Sequence, residues 1–123
     1  MADIQYPNGS VALGGSSGSV ANATAAVTLA APASGINYVT SIAITGAGAT
    51  AASIVVATLS GVVGGPFAYI IAVPAGATTG ITPIFRQYPI PLAGVAGQAI
   101  TLSLPALGAG NTNAAVNLAG FRL

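Results

Sequence analysis

The sequence has 123 residues, enough for one compact domain, and only Asp3, Arg86 and Arg122 carry side chains that are charged at neutral pH. Charged residues make up 2% of the chain, against about 25% in a typical soluble domain. Cys, His, Lys, Glu and Trp are absent, and Asp3 has no potential catalytic partner nearby in sequence, while one Asp cannot form a metal site; we therefore predict no enzymatic activity, no metal and no cofactor.

The first nineteen residues are rich in Gly and Ser, which is typical of a flexible segment. Four larger apolar residues are spaced through it: Ile4, Tyr6, Val11 and Leu13. Two interpretations remain open, a disordered tail or an arm that becomes ordered along a neighbouring subunit, with the four apolar residues as its partner-binding anchors. We assign residues 1–19 to this flexible N-terminal arm and residues 20–123 to a folded domain.

Beyond the arm, apolar residues alternate along the chain and Gly or Pro recurs about every ten residues, which indicates short β-strands. Seven segments are predicted as strands: 20–30, 38–45, 53–59, 67–73, 81–90, 99–104 and 115–123. In segment 38–45 the alternation places Tyr38 on the same face as Ile42 and Ile44, with Val39 on the opposite face. The fold class that follows is an all-β sandwich of about seven or eight short strands.

Segment 81–90 is the most irregular of these strands, because Pro83 and Pro89 cannot donate hydrogen bonds to a neighbouring strand. This favours an edge strand or a bent one. Within it, Phe85 is expected in the core, whereas Arg86 and Tyr88 are candidate partner-binding residues, since Arg and aromatic residues are enriched at interface hot spots.

The low charge also restricts the partners. Two arginines far apart in sequence do not form a basic patch for nucleic acid or for an anionic membrane surface. The longest apolar stretch, residues 62–77, is interrupted by Gly and Pro, so it does not predict a membrane-spanning helix. A net charge of +1 gives little repulsion between copies, and we therefore expect a homo-oligomer.

Three short segments of the sequence follow one another in a characteristic order. They are Gly-Ala-Gly-Ala-Thr-Ala-Ala-Ser at 46–53, Val-Pro-Ala-Gly-Ala-Thr at 73–78 and Leu-Pro-Ala-Leu-Gly-Ala-Gly-Asn at 104–111. In this order the region from Ser34 to Leu123 resembles the head decoration (cement) proteins of tailed phages. The resemblance implies a jelly-roll-like sandwich, made in the host cytoplasm and placed on the capsid exterior, where it clamps neighbouring major capsid proteins. It also implies an N-terminal arm and a trimer.

Two other functions are compatible with the sequence. One is a tail or head-fibre component that acts as an adhesin, and the other is a free module that binds carbohydrate or ice. Carbohydrate sites usually combine exposed Trp or Tyr with acidic or amide groups, and Trp and Glu are absent here. Ice-binding solenoids show a short fixed repeat, and the sequence has none.

Overall fold

The computed structural model describes residues 6–123, and within this range the chain forms strands, turns and loops but no helix. The strands of this range are β1 (Val11–Ser16), β2 (Val20–Ala21), β3 (Ala25–Leu29), β4 (Asn37–Ala49), β5 (Ser53–Ser60), β6 (Phe67–Val73), β7 (Ile84–Ala93), β8 (Ile100–Leu104) and β9 (Gly110–Arg122). They build two antiparallel sheets whose inner faces share one apolar core. The predicted all-β sandwich is confirmed.

Sheet A has the order β1-β9-β4-β7, with the short β2 also paired to β9, and sheet B has the order β3-β8-β5-β6. The strand pairs are nested along the chain. The strands β5 and β6 pair with each other, β4 pairs with β7 around them, β3 with β8 outside those, and β1 and β2 with β9 outside all. The path is therefore that of one long antiparallel hairpin folded over into two sheets.

The core is built from strands that alternate strictly. In β8, Ile100, Leu102 and Leu104 are fully buried, whereas Thr101 and Ser103 lie on the outer face of sheet B. Since β8 pairs with both β3 and β5, its apolar side chains are covered by neighbours on both sides as well as by sheet A. In β6, Ile71 and Val73 are likewise buried whereas Ile70 is exposed, so the alternation predicted for segments 67–73 and 99–104 is confirmed.

The boundary of the predicted arm needs correction. Val11–Ser16 is a strand that pairs with β9 over its whole length, from Val11 opposite Arg122 to Ser16 opposite Asn117. These residues belong to the sandwich, so the sandwich begins before residue 20. A Cβ atom on Gly15 would lie 2.8 Å from Cγ2 of Val27, so this glycine allows the two sheets to approach closely. Pairing with β9 thus overrides the weak strand preference of glycine.

The predicted strand 20–30 is divided into β2 and β3, where the chain crosses from sheet A to sheet B. Asn22 adopts a positive φ of 54° at this crossing. Its Oδ1 atom accepts hydrogen bonds from Thr112, at 2.9 Å from the backbone N and 3.1 Å from Oγ1. The corner is thus fixed by a side-chain amide, which tolerates the left-handed conformation better than most residues do.

A β-bulge at Thr40 reverses the expected faces of β4. Val39 pairs with Gly120 and Ser41 with Ala119, so Thr40 is an extra residue without an opposite partner. Its Oγ1 donates to the carbonyl oxygen of Ala119 at 3.2 Å. Val39 and Ile42 consequently both face the core, and the prediction that Tyr38 shares a face with Ile42 is wrong.

Tight packing at the end of β5 requires glycine. Gly61 has a φ of +84°, and a Cβ atom there would overlap the carbonyl oxygen of Ala99. Gly64, in the following turn, has nearly the same φ of +83°, but a Cβ atom there would have no neighbour within 4 Å. Both positions therefore require the positive φ that glycine adopts most easily, and they differ only in the space that a Cβ atom would have.

Candidate binding surfaces

The described residues offer surfaces for binding and no cluster of chemically reactive groups. Residues 6–123 contain no group of three His, Cys, Asp or Glu that could hold a metal ion. Within the same range, no helix is long and apolar enough to cross a membrane. Asp3, the one carboxylate side chain of the sequence, lies outside the described residues.

A depression on the outer face of sheet A has a volume of about 480 Å³. We call it the sheet A groove, and its outward-facing lining residues are Ser41, Ala43, Phe85, Gln87, Asn117 and Ala119. The floor is shallow because β4 and β9 present only short side chains there, whereas the edge strand β7 contributes the larger ones. The outward-facing side chains supply one aromatic ring and two amide groups, and Arg86 also contributes to the lining.

Phe85 dominates this groove, and the prediction that it belongs to the core is wrong. Its side chain is 70% exposed. Phe85 pairs with Ala43 and Ile84 pairs with the fully buried Ile44, so Ile84 takes the inward position and Phe85 the outward one. Two adjacent apolar residues after a proline leave the phase of the strand undecided in the sequence, and only the register with β4 decides it.

Arg86 and Tyr88 lie on the same strand, which is an edge strand as predicted, and line a second depression of about 260 Å³. We call it the β6–β7 cleft, because it lies between the edge strands of the two sheets. Its lining residues are Phe67, Tyr69, Arg86, Tyr88 and Leu92. The structure thus brings two of the six predicted partner-binding residues together, with Arg86 exposed and Tyr88 half-buried.

The hydroxyl groups of Tyr69 and Tyr88 form a hydrogen bond of 2.7 Å across this cleft. Burial raises the pKa of Tyr88 well above its usual value, the hydrogen bond with Tyr69 adds to the effect, and the positive charge of Arg86 opposes it. Tyr88 is consequently neutral over the whole physiological range. The pair connects β6 of sheet B to β7 of sheet A, which are the last strands in the order of their sheets.

The predicted anchors of the arm have three different environments. Leu13 is half-buried against the core, so the fold itself uses this side chain. Val11, at the start of β1, is 47% exposed. The ring of Tyr6 packs on Phe121 with 5.5 Å between the ring centroids. Ile4 lies outside the described residues.

Phe121 is a functional candidate that the sequence did not reveal. It is only 4% exposed, yet it lies on the outer face of sheet A and not in the core between the sheets. Tyr38 stacks on it from β4, with 4.9 Å between the centroids, and Tyr6 covers it from the N-terminal side. Tyr6 therefore lies on the same outer face of sheet A that carries the sheet A groove.

The outer face of sheet B carries an apolar patch beside the edge strand β6. Ile54 is 71% exposed, Val56 42% and Ile70 75%, and Val56 and Ile70 are directly opposite each other. The other half of this face carries hydroxyl side chains, including the pair Thr28 and Thr101 with 3.0 Å between their Oγ1 atoms. The sequence indicates this patch, because both faces of segment 67–73 are apolar and, in a two-sheet sandwich, the opposite sheet covers only one face of each strand.

Comparisons with known proteins add no relative. No protein-family model matches the chain, and neither a curated protein nor a solved structure does.

Proposed function

We propose that this chain is a non-catalytic structural protein of a virus particle, a decoration protein that binds the outside of a tailed-phage head. In this role it bridges neighbouring copies of the major capsid protein and associates with copies of itself. It uses apolar and neutral polar contacts, and it requires neither nucleic acid nor a membrane.

The observation that carries the proposal is the character of the two outer faces. A typical soluble domain keeps its outer faces charged, whereas residues 6–123 contain only two side chains that are charged at neutral pH, Arg86 and Arg122. Large apolar side chains are exposed on both sheets instead, among them Phe85 and Ile70. Exposed apolar surface of this kind marks contact with other proteins, and a lattice of copies covers more than one face of each subunit.

The strand connectivity supports the same assignment. A jelly roll consists of eight strands in two sheets, a fold found in viral capsid and lectin domains. We assign this sandwich to that class because its pairs are nested, with β1 and β2 together in the position of one strand. A fold carries many functions, so the connectivity adds to the argument from the surface and does not replace it.

The test is to locate the protein in particles. Phage particles purified with and without the gene should differ by density on the head exterior at repeated lattice positions, visible by cryo-electron microscopy. Purified protein added to the deletion particles should restore this density. Attachment should change little between low and moderate salt, because the protein has few charges to screen. Absence of the protein from purified particles, or its presence only on the tail, would refute the assignment.

A variant pair tests the attachment surface separately. Phe85→Ala removes the aromatic ring of the sheet A groove, and we expect at least about tenfold weaker attachment, as for an interface hot spot. Val63→Ala is the control, because Val63 is 64% exposed in the turn between β5 and β6 and lies outside the groove. Equal attachment of both variants would exclude the sheet A groove as the contact, while the density in the particle would still decide the function.

A second candidate, a tail or fibre adhesin that binds saccharide, is favoured by the composition of the same groove. An exposed ring beside the neutral polar side chains of Gln87, Asn117 and Ser41 suits an uncharged sugar, whose hydroxyl groups need amide partners and whose ring packs on an aromatic face. Screening the protein on a glycan array separates the candidates. Binding that Phe85→Ala abolishes, together with density on the tail, would support the adhesin.

A further inference from the structure

We propose that two copies of this chain pair through the open edge of β6, so that the two copies of sheet B become one continuous eight-stranded antiparallel sheet. This names the surface for the self-association that is part of the proposed function. It depends only on the chain itself, and it holds whether or not the protein binds a capsid.

The edge of β6 is open within the described part of the chain. Among residues 6–123, β6 pairs only with β5, so its other side presents backbone N–H and C=O groups that no strand of this range satisfies. A depression of about 250 Å³ lies beside it, lined by Ile70, Ile71, Ala72, Thr82 and Ile84. The chain therefore leaves space next to this edge.

Protected edges usually carry charge, proline or a bulge, and β6 has none of these. Its sequence, Phe-Ala-Tyr-Ile-Ile-Ala-Val, is uncharged and apolar throughout, and its register with β5 is regular over all seven residues. The neighbouring edge strand β7 differs, because Pro89 and Pro91 cannot donate hydrogen bonds and its register with β4 is interrupted. Of these two edges, only β6 is suited to pairing.

A second copy matches this edge in length, direction and chemistry. The strand has seven residues centred on Ile70, so the antiparallel register that pairs all seven places Ile70 opposite its own counterpart on a two-fold axis. Ala68 then lies opposite Ala72 on the same outer face, and Phe67 lies opposite Val73 on the inner one. No pair combines like charges, and Ile70, which is 75% exposed in one copy, becomes buried against itself.

The size of the edge sets the strength of the contact. At about 3.4 Å per residue the strand is about 24 Å long, and with a sheet layer of about 10 Å it presents about 240 Å² per copy. A stable interface buries about 800 Å² per partner, so edge pairing gives a reversible dimer that depends on concentration. This two-fold geometry differs from the trimer that the family resemblance implied, which makes the two directly distinguishable.

Cysteine cross-linking tests the register, because the native chain has no cysteine and any disulfide must join two copies. Directly opposite residues of an antiparallel pair have Cα atoms about 4.5–5.5 Å apart, within the range of a disulfide. Ile70→Cys should therefore form a disulfide dimer under mild oxidation. Ile54→Cys is the matched control, because Ile54 is equally exposed on the same face but belongs to β5, away from the axis.

A charge substitution tests the energetics. Ile70→Lys places two like charges opposite each other, and sedimentation velocity over a range of concentrations should show at least tenfold weaker dimerisation than in wild type or in Ile54→Lys. Circular dichroism should be unchanged in all variants, because both positions are on the surface. A wild-type protein that stays monomeric at every concentration, that sediments as a trimer, or whose Ile70→Cys variant cross-links no better than Ile54→Cys, overturns the proposal. Cross-linking of Ile70→Cys without attachment to phage heads would support the dimer and count against the proposed function.

Discussion

The hydrogen bond between the hydroxyl groups of Tyr69 and Tyr88 gives a quantitative test of how strongly β6 of sheet B is joined to β7 of sheet A. Replacing either tyrosine by phenylalanine removes one hydroxyl and leaves the other half-buried without its partner. A protein hydrogen bond of this kind contributes about 0.5–1.5 kcal/mol, and water can partly replace the lost partner at a half-buried site. We therefore expect each single variant to lose about 0.5–1 kcal/mol of unfolding free energy.

The double variant Tyr69→Phe with Tyr88→Phe should lose no more than either single variant, because neither hydroxyl is then left unpaired. The coupling energy from the double-mutant cycle should equal the strength of the bond, about 0.5–1 kcal/mol. Urea unfolding at one fixed protein concentration measures it, since self-association makes the apparent stability depend on concentration. Losses in the single variants that simply add in the double variant would show that the two hydroxyl groups do not interact.

The same pair predicts a dependence on alkaline pH. Burial and the hydrogen bond raise the pKa of Tyr88 in the folded protein, whereas in the unfolded chain tyrosine ionises near pH 10. The unfolded state therefore loses its proton first, and the stabilisation is complete below about pH 10 and declines as the pH rises further. Tyr88→Phe should show a shallower decline above pH 10, and identical alkaline profiles for wild type and variant would contradict the assigned environment.

Three further predictions concern the fold. Leu102→Ala should lower the unfolding free energy by about 2.7–5 kcal/mol in urea titrations, because the side chain is fully buried and the cavity cannot close. Gly61→Ala should destabilise the protein more than Gly64→Ala, since both carry the strain of a positive φ but only Gly61 also faces backbone atoms; equal melting temperatures would contradict the close contact. Deleting residues 1–16 should lower the unfolding free energy, measured in the same urea titrations, by at least about 2 kcal/mol through loss of β1.

The sequence was sufficient for strands in which the backbone follows its regular period. In β8, large apolar residues alternate with Thr and Ser, and in β6 every second residue from Phe67 to Val73 is large and apolar, so the period of two predicted both elements and their inner faces, although Ile70 makes the outer face of β6 apolar as well. The edge position of β7 could also be predicted, because proline is incompatible with a central strand.

The faces of β4 and the position of Phe85 could not be predicted, because both depend on a partner strand. The extra residue at Thr40 shifts the alternation by one, and its hydroxyl group donates a hydrogen bond to Ala119, far away in sequence. Phe85 points outward because its neighbour Ile84 pairs with Ile44. Neither the bulge nor the pairing of Ile84 can be recognised from the neighbouring sequence, because the same residue types are common in regular strands.

The strand β1 is not predicted by the sequence for a different reason. Gly and Ser have a low intrinsic preference for strands, so a segment rich in both predicts flexibility. In the structure the small residues are what the position requires, since Gly15 lies where Val27 of the opposite sheet approaches. Gly and Ser are common both in flexible segments and in strands that pack closely against another sheet, so composition alone does not distinguish these two structures.

The nested pairing of the strands has a consequence for synthesis on the ribosome. The hairpin of β5 and β6 can form as soon as both strands emerge, but β3 must wait several seconds for β8 at a synthesis rate of about 5–20 residues per second. The strand β9 follows the other described strands in sequence and lies between β1 and β4, so a chain that stops earlier lacks an interior strand of sheet A and not an edge strand. Translation that stops before Gly110 therefore leaves β1 and one side of β4 exposed, and sheet A is complete only when β9 has been made.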